Sequence, residues 1–84
     1  EFDVTMEEIR YERGIARYNI DSLKLAFEDF NFCLEKNYLK PENFYWRGII
    51  YIDYGMNNEG CTDLNEAQKM GDPDAQKMID KYCK

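Results

Sequence analysis

Tyr11-Glu12-Arg13-Gly14-Ile15 recurs as Tyr45-Trp46-Arg47-Gly48-Ile49, 34 residues further along the chain. The same offset carries Glu8 onto Glu42, Asp29 onto Asp63 and Asn31 onto Asn65. It also sets Ala26 against Gly60, Phe30 against Leu64 and Cys33 against Ala67. A fixed period of this length in a polar chain implies stacked helical hairpins, which generally work by presenting a surface rather than by running a reaction.

The local signals agree with hairpins. Thr5-Met6-Glu7-Glu8 reads as a capping box, so a first helix is expected from Met6 to Asn19. Asp21-Ser22 supplies a turn and a second cap, and the next helix is expected over Ser22–Lys36. Its Leu23, Ala26, Phe27, Phe30, Cys33 and Leu34 fall at amphipathic spacing. After a loop over Asn37–Lys40, Pro41 suits the first position of a helix reaching Tyr54, closed by Gly55. A fourth helix over Asn58–Met70 ends at Gly71. Asp72 as cap and Pro73 just inside open a last helix through Cys83. On that helix Ala75, Met78, Ile79 and Tyr82 form the side expected to be buried. No stretch alternates like a strand, so the fold class is all-α.

At 84 residues the chain is expected to form a single domain with a modest core, burying about 60–65% of its unfolded surface. Its aromatic content of 15% partly offsets that. The net charge of −6 excludes the basic stripe of nucleic-acid binders and leaves basic proteins or peptides as the easier partners. No apolar run approaches the ~20 residues that cross a bilayer, so no membrane insertion is expected. No signal peptide is visible, and a soluble, cytoplasmic setting is favoured over a periplasmic or secreted one. The chain lacks an initiating Met and is expected to be a fragment of a larger protein, with Glu1-Phe2 readable as a cloning scar.

On these residues the chain resembles the tetratricopeptide repeat family, whose signature is a 34-residue helix–turn–helix carrying W-x2-L-G-x2-Y, then A-x3-F, then Pro. The first copy offers Gly14, with Ala26 and Phe30 as the A-x3-F pair. The second offers Phe44 for the Trp, then Gly48 and Tyr51, with Gly60 and Leu64 for the pair. Arg13 and Arg47, each two residues after a Tyr, are similar to a bacterial version of the repeat. Arg10 and Arg17 depart from it, standing where aromatics are expected. The resemblance implies a right-handed superhelical stack of two hairpins, about 5–38 and 39–72, with a capping helix over about 73–83. Small residues at 14, 26, 48 and 60 would let paired helices approach closely.

The resemblance also implies a binding face along the first helix of each hairpin. Its residues would be Glu8, Tyr11, Glu12, Ile15, Tyr18 and Asn19, then Glu42, Tyr45, Trp46, Ile49, Ile52 and Asp53. Tyr and Trp dominate binding hot spots, although an aromatic on an amphipathic helix is as readily core. Trp46 stands where the first copy has Glu12 and is therefore expected to be at least half exposed, anchoring a protein or peptide ligand. The basic clamp with which some members grip a C-terminal carboxylate is not evident.

Catalysis is not expected. The chain has no His, no Gly-rich phosphate loop and no G-x-S-x-G turn. Glu7-Glu8, Glu28-Asp29 and Asp53 are expected on solvated helix surfaces, and no cofactor or metal is implied. Cys33 lies on an apolar stripe and is expected to be a small buried hydrophobe. Cys61 and Cys83 lie equally far from Asp72, so an antiparallel turn there brings them level. They are either a disulfide clamping the last helix or two reduced thiols packed together, and with the compartment unknown the reduced pair is the favoured reading. The alternative to a binding module is a structural element that forms a homo-oligomer through Phe2, Val4, Met6 and Ile9, because two repeats fall short of the about three usually needed for stability.

Overall fold

In the computed structural model, which describes residues 4–84, the chain folds into five helices: α1 (Met6–Asn19), α2 (Leu23–Glu35), α3 (Lys40–Asp53), α4 (Asn57–Lys69) and α5 (Ala75–Tyr82). No strand occurs among the described residues. The sequence period is also a structural one. The bounds of α3 and α4 are those of α1 and α2 moved by 34 residues: 6 + 34 = 40, 19 + 34 = 53, 23 + 34 = 57 and 35 + 34 = 69.

The turns repeat as well. Asp21 (φ 66°) and Gly55 (φ 80°) take the left-handed conformation at equivalent positions, as do Asn37 (φ 57°) and Gly71 (φ 96°). The ends of α1, α2, α3 and α4 are each closed by a long and a short backbone bond, the Schellman arrangement. Ser22 N–H donates to Arg17 and Met56 N–H to Tyr51, both at 2.8 Å, while Tyr38 N–H donates to Cys33 and Asp72 N–H to Ala67, both at 2.9 Å. These bonds satisfy carbonyls that a helix end otherwise leaves orphaned.

Several helix starts differ from expectation. The Thr5 hydroxyl accepts the Glu8 N–H at 3.1 Å, as anticipated. Ser22 holds the cap position of α2 but makes no side-chain cap bond. α3 begins at Lys40, one residue before Pro41, after Leu39 in a left-handed conformation (φ 45°). The Asn43 amide pins that turn by donating to the carbonyls of Tyr38 (2.9 Å) and Leu39 (3.1 Å). Asp72 does not cap α5, because its backbone belongs to the turn that closes α4, and α5 starts later, at Ala75.

Consecutive helices pack in order, and α3 also meets α5. One buried cluster joins Ala26, Phe30 and Ile50, flanked by Tyr11, Ile15, Tyr18, Phe27 and Trp46. A second joins Ile49, Leu64 and Ile79, flanked by Tyr45, Ile52, Met78 and Cys83. Ala75 and Ile79 are buried as expected, but Tyr82 is exposed, with the Lys81 ammonium over its ring.

Close approach within the second hairpin depends on two glycines. A Cβ on Gly48 would stand 2.9 Å from the Gly60 carbonyl oxygen, and one on Gly60 would stand 2.8 Å from that of Gly48. Both obstacles are backbone, so neither can swing aside. The expected small-residue contact is therefore a backbone-to-backbone one.

Candidate functional site

The four arginines determine which side of the first helices is left acidic. Arg10, Arg13 and Arg17 lie at i, i+3 and i+7 of α1, hence on one face, and all three turn toward α2. There they converge on Asp29, which is 0% exposed. Arg13 makes a two-pronged pair with it, Nη2 to Oδ1 at 2.8 Å and Nε to Oδ2 at 3.0 Å. Arg17 Nη1 donates to Oδ2 at 3.1 Å and Arg10 Nη1 to Oδ1 at 3.4 Å. The equivalent pair in the second hairpin joins Arg47 to Asp63, at 2.7 and 2.9 Å. Arg47 also donates to Asn31 Oδ1 at 2.8 Å, so it ties the two hairpins together. These hydrogen bonds raise the Arg13 and Arg47 guanidiniums above their ordinary value.

Asp29 therefore is not the solvated carboxylate that its sequence context suggested. Its neighbour Glu28 is exposed, as are Glu8 and Asp53, while Glu7 is partly buried. Arg10 and Arg17, which depart from the repeat signature, serve as additional donors to the same buried acceptor. The spacing of 16 residues shared by Arg13/Asp29 and Arg47/Asp63 is the signal that could have found this network.

The other side of α1 and α3 is aromatic and acidic. Trp46 stacks on Phe30 (centroids 5.9 Å, planes 11° apart) and meets Tyr18 at 5.3 Å and Tyr45 at 5.5 Å. Tyr11 packs edge-on against Phe30 and Tyr38, each at 6.3 Å. The Tyr18 hydroxyl donates to Asp53 Oδ2 at 3.1 Å. Burial, then that carboxylate, pushes the Tyr18 phenol up to about 12. Burial also raises Tyr11, with Glu42, Glu12 and Asp72 adding to the shift, and Tyr45, with Asp74 and Asp72 adding.

This geometry corrects two of the expected face residues, Trp46 and Ile49. Trp46 is mostly buried rather than half exposed, because its ring fills the seam between α2 and α3. Ile49 is only 8% exposed and belongs to the core with Leu64 and Ile79. Ile52 presses against Gly60 of α4, where a Cβ would come within 2.6 Å of its Cγ1. Tyr11, Ile15, Tyr18 and Tyr45 are partly buried, while Glu8, Glu12, Asn19 and Asp53 are exposed and Glu42 is intermediate.

Two further residues, which pattern reading missed, border the face. Tyr38 and Asp72 occupy equivalent turns (38 + 34 = 72) and reach it because the chain re-enters there from α2 and α4. Asp72 Oδ2 is buried with no hydrogen-bond partner. Burial raises its carboxyl above the ordinary aspartate value; a hydrogen bond from the Asp74 backbone opposes the shift, while the charges of Asp74 and Glu42 add to it.

Cys61 and Cys83 form a disulfide with Cα atoms 5.8 Å apart, so the reading that favoured reduced thiols is corrected. The bond clamps α5 onto α4 and closes a loop of 22 residues. Its reduction is expected to lower stability by about 3 kcal/mol in the chain-entropy account. Urea unfolding with and without reductant measures this, and coincident curves would mean that the clamp adds nothing. Cys33 is fully buried and its thiol donates to the Glu7 carbonyl at 3.3 Å. Burial pushes that thiol up to about 11, which leaves little thiolate for reaction.

Among the described residues, no group of three or more His, Cys, Asp or Glu side chains is placed to hold a metal ion. Nor is any helix there long and apolar enough to cross a membrane. A groove of about 330 Å³ lies away from the acidic face, between Lys24, Phe27, Tyr51, Tyr54 and Met56.

No family model and no solved structure matches the chain. A stretch of 61 residues, 73% of the chain, is 31% identical to part of the myosin-2 heavy chain, non muscle, of Acanthamoeba castellanii. The chain spans only 4% of that protein's length, and the likeness carries no activity across from it.

Proposed function

We propose that the chain is a non-catalytic module for protein or peptide interaction, built as two tetratricopeptide-type hairpins in a right-handed superhelical stack closed by α5, and that it binds through the shared face of α1 and α3. The observation that carries this reading is the sorting of side chains on those two helices. Every arginine is engaged on the side of Asp29 and Asp63, and the opposite side offers Tyr11, Tyr18 and Tyr45 among exposed carboxylates. Tyrosines half-sunk in a rigid surface give large contact area at low entropic cost. The repeat of helix bounds and turns at 34 residues supports the assignment of hairpin type.

The test replaces exposed members of the face, leaving the packed Trp46 untouched. Glu12→Lys with Asp53→Lys is expected to lose partners that the wild type recovers in pull-down, while Lys77→Glu on the outer side of α5 keeps them. Equal recovery by all three proteins would overturn the reading.

The second reading, self-assembly, is favoured by the exposed apolar residues Val4 (55%), Met6 (56%) and Ile9 (46%) at the start of α1. Phe2, expected in the same patch, lies outside the described residues. A strict monomer in sedimentation at high concentration would remove this reading.

A further inference from the structure

The charge of the α1–α3 face restricts what it can hold. Hydrogen bonds to Asp29, Asp63 and Asn31 turn Arg10, Arg13, Arg17 and Arg47 away from it. What remains is carboxylate: Glu8, Glu12, Glu42 and Asp53 from the helices, and Asp72 and Asp74 from the turn before α5. An acidic or phosphorylated ligand would meet uncompensated repulsion there, whereas a basic one meets attraction over the whole face. The aromatic rings add a short-range component, since an ammonium or guanidinium is drawn to the face of a Tyr ring and more strongly when partly desolvated. Asp72, partly exposed at the turn before α5, adds a further carboxylate at the edge of the face.

We propose that this face docks an extended basic peptide segment, with one Lys or Arg side chain seated against Tyr11 and Tyr45 between Glu42 and Asp72. The inference rests on the interaction-module reading and adds the chemistry of the partner. The neighbouring exposed carboxylates Glu12 and Asp53 serve the flanking basic residues of the segment. Their contribution is screened by salt, while that of the seated side chain persists.

The chain has one Trp, and Trp46 touches Tyr45, so its emission reports directly on the site. The probes are three synthetic peptides of about ten residues, in which Ala alternates with Lys, Gln or Glu. At physiological salt the Lys peptide is expected to shift Trp46 emission and to bind at least about tenfold more tightly than the Gln peptide. Glu42→Gln with Asp72→Asn is expected to weaken it about tenfold, whereas Glu59→Gln with Glu66→Gln, the same charge change on α4, leaves it unaltered. Equal weakening by the two double variants would reveal diffuse attraction and overturn the proposal, as would the absence of any preference for Lys over Gln. If the Gln or Glu peptide binds instead, and Glu12→Lys with Asp53→Lys alters that binding, the interaction face stands and only the cationic chemistry fails. If no peptide binds and the pull-down also fails, both readings fall.

Discussion

Asp29→Asn is expected to lower the free energy of unfolding by about 3–5 kcal/mol, the range for breaking a buried ion pair by removing one partner. The carboxylate is 0% exposed and accepts four hydrogen bonds from three guanidiniums. An Asn amide occupies the same volume but carries no charge, and its NH2 faces donors. Three like charges on consecutive turns of α1 are then left beside one another with no counter-charge. Arg13 is 44% exposed and can turn to water, which keeps the loss toward the lower end of the range. Asp63→Asn is expected to cost less, because only Arg47 loses its partner and Asn31 still holds that guanidinium. Urea unfolding of the two variants side by side checks the order. An unchanged midpoint for Asp29→Asn would mean that the converging arginines contribute no net stability.

Phe30→Ala is expected to cost a similar amount, about 3–5 kcal/mol, from lost burial plus the cavity left behind. Phe30 is fully buried at the meeting of three helices: Gly14 of α1 lies against its ring, and Trp46 of α3 stacks on the other side. Neither neighbour can fill the gap, since Gly14 has no side chain and Trp46 is held by Tyr18 and Tyr45. Removing the ring also wets the indole. The variant is therefore expected to show red-shifted Trp46 emission while still folded, which a purely thermodynamic defect would not produce. Phe30→Leu keeps most of the volume and is expected to retain native emission.

The period at 34 residues was legible because it is written in the chain; the capping box at Thr5 anticipated α1, and the repeat resemblance anticipated the close-packed glycines of the second hairpin. The left-handed turn residues were legible only in the second copy. Asp21 and Asn37 adopt the conformation that Gly55 and Gly71 adopt, but their side chains do not announce it. Asp29 was read as solvated because a carboxylate beside Glu28 is ordinarily so. Its burial depends on three donors brought from another helix, whose trace in the sequence is the 16-residue spacing to Arg13 that recurs between Arg47 and Asp63. Trp46 was read as exposed because Glu12 stands at its place in the first copy. That comparison assumed equal surroundings, whereas α3 packs on α2 and, among the described residues, α1 has no corresponding helix against it. The same seam explains why Trp46 became a packed ring and its counterpart Glu12 stayed in water.

Arg47 has a consequence for binding thermodynamics. One guanidinium grips α4 through Asp63 and α2 through Asn31, and it does so from α3, the helix that carries half of the proposed face. The joint between the hairpins is thus bolted from both sides and cannot swivel without breaking charge-assisted hydrogen bonds. A ligand lying across Tyr11 and Tyr45 then meets two half-sites already held at their working separation, and little of its affinity is consumed in bringing them together.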